Sequence, residues 1–198
     1  SDVCSSDLPL SLPAKTVKDL VALAKAKPGE LNYGASAPGT TSHLAAELFK
    51  SMAGVNIVRI TYKGNTSALN DVLAGHLHLT FAPAGAVAQH VKSGKVRALG
   101  VTNAQPSPTY PDIPTIAAAG LPGFEAESIY GLWVPAKTPN AIVNRLNQEI
   151  VRALHQPEIK DRVANFAMEV VGSTPEFFAE KIKGEVARMG RLVREVGI

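Results

Sequence analysis

The chain has 198 residues, 20 basic and 17 acidic side chains, a net charge of +3, and 45% hydrophobic against 19% charged content. That make-up belongs to a globular protein with material for one domain or two small lobes. Its charges are interspersed, without a basic run or aromatic–basic interleaving, and no apolar run reaches bilayer length; neither nucleic acid binding nor direct membrane insertion is expected.

The first residues, Ser1-Asp2-Val3-Cys4-Ser5-Ser6-Asp7-Leu8, match no targeting pattern: no basic-then-apolar signal exists, and no hydrophobic segment precedes Cys4. They fit poorly with the rest of the chain, so residues 1–12 are expected to be an unrelated or disordered leader. Cys4 is the one cysteine, which excludes an intramolecular disulfide and a cysteine-based zinc site. From Pro13 onward strand-like and helix-like patterns alternate. Thr16 is placed to N-cap a helix with Val17, Leu20, Val21 and Ala24 on one face, ending near Pro28-Gly29. A strand at Leu31 leads into a helix carrying Leu44, Ala45, Leu48, Phe49 and Met52, which Gly54 stops. A β-rich stretch from Ile57 to Tyr62 precedes a helix from Ser67 to Leu73. Leu77 to Phe81 reads as a strand, Gly85 to Val91 as a short helix and Val96 to Val101 as a strand. Strands joined by helical crossovers imply one mainly parallel sheet covered on both faces.

From Asn103 to Gly123 the composition changes to loop, with Pro106, Pro108, Pro111, Pro114 and Pro122 around one Ala-rich helical turn. Ser128 to Val134 reads as an aromatic strand. Thr138-Pro139 then opens a helix with Ile142, Val143, Leu146, Ile150 and Leu154 on one stripe. Pro157 starts a shorter helix, Met168 to Val171 reads as a strand, and Thr174-Pro175 opens the last helix.

Four segments put small or polar residues at the carboxyl ends of strands, where α/β sheets bind ligands. The first, Ala35 to Thr41, offers the Ser36, Thr40 and Thr41 hydroxyls and the Ala37 backbone at a helix start, a geometry suited to an anion. The second is Tyr62 to Ser67, with Lys63 and Gly64; Lys63 either pairs with a carboxylate or extends into solvent. The third runs through Ala82, Pro83 and Ala84, and the fourth is Val101-Thr102-Asn103. His43 is expected to tie loop to helix rather than to touch a ligand, and Asp71 to serve a neighbouring loop. A serine hydrolase using Ser36, His43 and Asp71 is the enzymatic alternative, but Pro38 stands where a G-x-S-x-G elbow needs glycine. His76 and His78 lack a third nearby ligand, so no metal is expected.

Taken in order, these segments resemble a known family. Tyr33 to Leu44 is similar to the pattern Y-G-S-S-G-x-G-S-x-x-H-L of the extracytoplasmic solute receptors of tripartite tricarboxylate transporters, the TctC or Bug family. Tyr62-Lys63-Gly64 with Asp71 and Gly75, Gly94 to Thr102, Tyr110 to Thr115, and Gly131 to Ala136 extend the match. The resemblance implies a two-lobed periplasmic-binding-protein-like α/β fold that closes on a small organic carboxylate. It further implies a periplasmic location, membrane permease subunits as partners, no cofactor and no chemistry of its own. The family's Pro-Pro-Gly-Gly first-lobe loop has no counterpart here, so the chain is expected to be N-terminally truncated. Residues 13–125 then form the ligand-binding second lobe, and residues 126–198 a crossover strand and helices of an incomplete first lobe. Ala37-Pro38 replaces a usual glycine, and His78 and Ala82 stand on a strand where the family often carries Asp. A cytosolic ligand-sensing domain of the same architecture is the other reading that the sequence leaves open.

Overall fold

The computed structural model describes residues 4–107 and 110–198; Ser1 to Val3 of the expected leader and Pro108 of the proline-rich loop lie outside them. In chain order the elements are β1 (Cys4–Pro9), α1 (Val17–Ala26), β2 (Asn32–Ala35), α2 (Thr41–Ala53), β3 (Val58–Thr61), α3 (Asn65–Leu73), β4 (Leu79–Pro83) and α4 (Ala84–Lys92). The chain continues with β5 (Val96–Val101), α5 (Ile116–Ala119), α6 (Asn140–Leu154), α7 (Pro157–Asn165) and α8 (Pro175–Val196).

The local signals act as their chemistry dictates. Thr16 caps α1 through a reciprocal box, its hydroxyl accepting from the Asp19 N–H at 3.1 Å while the Asp19 carboxylate accepts from the Thr16 N–H at 3.0 Å. Gly54 ends α2 at φ 61°, a left-handed conformation that costs glycine nothing.

One sheet holds the strands in the order β3-β2-β4-β1-β5. β2 pairs parallel with both β3 and β4. β1 pairs antiparallel with β4 and with β5, so β4 and β5 run parallel to each other. The four strands expected from sequence therefore share one direction, as the helical crossovers require.

The fifth strand corrects the leader expectation. Residues 4–9 fill the slot between β4 and β5, with Asp7 and Leu8 fully buried and Leu12 in the same core as Leu20 and Phe81. The slot is flanked by two strand edges whose N–H and C=O groups need partners, and main-chain pairing makes little demand on side-chain pattern. The polar run Ser5-Ser6-Asp7 gives no sign of it.

The main core lies under β2 and β4, where Phe49 meets Phe81 at 5.8 Å and Phe124 at 6.4 Å between ring centroids. Gly34 sits where α3 crosses β2; a Cβ there would meet Leu77 Cδ2 at 2.5 Å and Ala68 Cβ at 2.7 Å. Close helix–strand approach thus requires the glycine. β3 closes one edge, with Val58 and Ile60 partly in solvent.

Two other strand expectations are corrected. Ser128 to Val134 belongs to no strand beyond a lone bridge at Ser128, and Tyr130, Leu132 and Trp133 are each more than two-thirds exposed. Met168 to Val171 is likewise not a strand. β-rich residues become a strand only when a neighbouring edge accepts a run of their backbone bonds, and here pairing stops at single bridge residues, Ser128 and Met168. Trp133 instead lies on Phe178, ring centroids 5.1 Å apart. Helices α6 and α7 bury no residue. α8 docks on α2, with Met189 packed against the main core and Leu192 buried. Lys181 binds Glu125 at 2.8 Å, and Arg188 donates to the Glu125 carbonyl, tying α8 to the segment that leaves the sheet.

Candidate functional site

β2, β3 and β4 run parallel, so the loops that follow them rise on one edge of the sheet. These loops lead into α2, α3 and α4, whose N-termini carry unpaired N–H groups and partial positive charge. Between them lies an open crevice of about 340 Å³.

The first corner contributes Ser36, Gly39, Thr40, Thr41 and Ser42 to the lining. The Thr40 hydroxyl donates to the Ala37 carbonyl at 2.8 Å and accepts from the Ser36 hydroxyl at 3.2 Å. The second corner contributes Asn65, whose side-chain carbonyl accepts from the Ser42 hydroxyl at 3.1 Å. Pro83 comes from the third corner, and Ser128 and Tyr130 from the segment that leaves the sheet.

The sequence-derived candidates divide accordingly. Ser36, Thr40, Thr41 and Pro83 line one crevice. Ala37 is exposed at the loop tip, and Lys63 and Gly64 stand beside the second corner; none of the three lines the crevice. Ala82 faces a core formed with Leu69 and Val87, and Ala84 is buried against Val101 and Ala167. The Ala84 carbonyl accepts from the Tyr110 hydroxyl at 3.1 Å. Asn65, Ser42, Ser128 and Tyr130 line the crevice without being candidates from sequence. Asn65 directly follows Lys63-Gly64 at a helix start, a polar position that reads as ordinary helix chemistry. Ser128 and Tyr130 fall in the stretch whose composition reads as a strand.

The loop is braced from behind. The Arg59 guanidinium donates to the Ser36 carbonyl at 3.0 Å. His43 is buried, and its Nδ1 accepts the Gly39 N–H at 3.1 Å, which leaves the ring proton on Nε2. Burial, then the Arg59 charge, holds the His43 pKa below the ordinary imidazole range. The loop-to-helix tie expected of this histidine is therefore what it makes. Beneath the site, the Tyr33 hydroxyl donates to Glu47 at 2.5 Å, and Lys50 binds the same carboxylate at 2.7 Å. Burial raises the Glu47 pKa, but the bonds from Lys50 and Tyr33 outweigh it and leave the group below its usual range.

The groups of the hydrolase alternative are engaged separately. Ser36 donates to Thr40, His43 Nδ1 is occupied by Gly39, and Asp71 accepts from the Tyr62 hydroxyl at 2.5 Å. Burial and then that bond push the Tyr62 pKa up to about 12. His78 pairs with Asn32 through its ring and its backbone N–H. Among the described residues no cluster of three metal-ligating side chains occurs, and no helix is long and apolar enough to cross a membrane.

Comparison with known proteins agrees with the fold. Residues 7–198 match the family model described as tripartite tricarboxylate transporter family receptor. A UPF0065 protein from the tcbD-tcbE intergenic region of a Pseudomonas species is 34% identical over 182 residues, covering 91% of this chain and 54% of that protein. Rpa4515 of R. palustris, solved with adipate, superposes with a TM-score of 0.86 at 35% identity, over 100% of this chain and 66% of that one. The periplasmic binding protein BugD gives a TM-score of 0.82 at 29% identity, over 100% of this chain and 67% of its own. The chain spans about half the length of the Pseudomonas relative and two-thirds of the two solved chains.

Proposed function

Because the chain belongs to the tripartite tricarboxylate transporter receptor family, we propose that its crevice captures a small organic carboxylate for delivery to the membrane permease subunits of such a transporter. One observation carries the reading: three strand-to-helix corners meet at one crevice lined by hydroxyls and an amide, with no carboxylate or cationic side chain among the described residues that line it. Helix N-termini and hydroxyl donors favour an anion, and a lining without a facing acid has nothing to repel it. Adipate in Rpa4515 supports a dicarboxylate of about that size, since that protein shares the fold over the whole of this chain. In this reading residues 13–125 supply the ligand-binding lobe, residues 126–198 contribute to the other lobe, and the protein works in the periplasm. Ser36, Thr40 and Thr41 contact the carboxylate, and Pro83 contributes to the wall from the third corner. No chemistry is asked of Ser36 or His43.

The test is titration calorimetry of the purified chain with adipate, succinate and citrate, alongside dimethyl adipate as the uncharged control. The expected result is saturable heat with at least one acid and none with the ester. Equal binding of acid and ester removes the anion reading, and turnover of a model ester that is lost in Ser36→Ala favours the hydrolase instead.

A further inference from the structure

Among the described residues that line the crevice, Asn65 alone can donate two N–H groups from a neutral planar amide, and its neighbours set its orientation. Thr40 has a single hydroxyl proton, which goes to the Ala37 carbonyl at 2.8 Å. Thr40 therefore meets its hydroxyl neighbours as an acceptor, taking the Ser36 proton at 3.2 Å. The Ser42 proton takes the shorter of its two contacts, 3.1 Å to the Asn65 carbonyl oxygen against 3.3 Å to Thr40. With its oxygen so engaged, the Asn65 amide keeps its NH₂ group as a donor at the crevice lining. The bond also staples the first corner to the second, because Ser42 lies in the first turn of α2 and Asn65 opens α3.

We infer that Asn65 is a specificity-determining residue, a donor that reads a carboxylate oxygen of the ligand and is held in that sense by Ser42. The inference rests on the carboxylate reading of the crevice. It goes further by naming a side chain that discriminates acceptor from donor ligands. With no cation among the described residues of the lining, each neutral donor carries a larger share of anion recognition, and hydrogen bonds to charged groups are the stronger kind.

Asn65→Asp tests it without endangering the fold, because an acid in the first turn of a helix is favoured by the macrodipole. Aspartate still accepts from Ser42 but presents a negative oxygen to the crevice. Calorimetric titration with adipate, succinate and citrate, with thermal melts as the folding check, is expected to show at least about a tenfold loss of affinity in Asn65→Asp. The melting temperature should be unchanged or raised. Asn65→Ser retains a hydroxyl donor and should lose less, and Ser42→Ala should fall between, since the amide is then free to turn over. If the wild-type chain binds an acid and Asn65→Asp binds it within twofold, the assignment of Asn65 is overturned while the carboxylate reading stands. If the wild-type chain binds none of the three acids, the reading fails and this inference fails with it.

Discussion

Helices α2 and α6 have similar length and each carries an apolar stripe, yet they end in opposite environments. α2 buries Ala45, Ala46 and Phe49 against the sheet, whereas α6 leaves Ile142 and Leu146 close to half exposed and buries nothing. Periodicity states which face of a helix avoids water, and a facing surface decides whether that preference becomes stability. Around β2 and β4 that surface exists; beside α6 only α7 and α8 face it, and they leave its stripe half-buried at best. The candidate site sits mainly on the well-packed side, where the Arg59 and His43 braces fix the first corner.

The sharpest way to break this comparison is a pair of truncations. Phe49→Ala, in the aromatic cluster with Phe81 and Phe124, should cost about 3–5 kcal/mol in a denaturant titration. Leu146→Ala on α6 should stay within about 0.5 kcal/mol of wild type. Comparable losses from the two would mean that α6 is packed in solution. A finer probe uses two caps of like chemistry. The hydroxyls of Thr16 and Thr174 accept from the Asp19 and Phe177 N–H groups at 3.1 and 3.2 Å. Thr16→Ala should lower global stability by about 1 kcal/mol. Thr174→Ala should instead register as faster amide exchange at the start of α8, where Phe177 is already exposed. A full global cost there would place that end of α8 within the cooperative unit.

Much of the sheet region was legible because its signals are local. The Thr16 box, the Gly54 stop and the apolar strand runs act within a few residues and leave their mark in composition. β1 was not legible, since its place between β4 and β5 depends on backbone pairing that Ser5-Ser6-Asp7 does not announce. Ser128 to Val134 is the reverse case: aromatic, β-favouring residues promise a strand, yet pairing stops at a single bridge residue, Ser128. At the site, the glycine- and threonine-rich corner pointed to Ser36, Thr40 and Thr41. Asn65 escaped because a polar residue opening a helix has an ordinary reading, and its bond to Ser42 is visible only in three dimensions.

The smallest expected effect concerns pH. The folded pKa of His43 lies below its unfolded value, so its contribution is present above the ordinary imidazole range and is lost as pH falls through the folded value. Stability of the wild type should decline from neutral to mildly acidic pH, and His43→Gln should flatten that slope. An unaltered slope would assign it to other groups.

The most direct measurement of the central claim is amide chemical-shift mapping of the chain during titration with adipate. Saturable shifts at the Gly39 to Ser42 backbone amides and at the Asn65 side-chain NH₂ are the predicted result, with α6 and α7 unmoved. Shifts confined to the exposed faces of α6 and Trp133, or no saturable shift at these corners, would contradict the account.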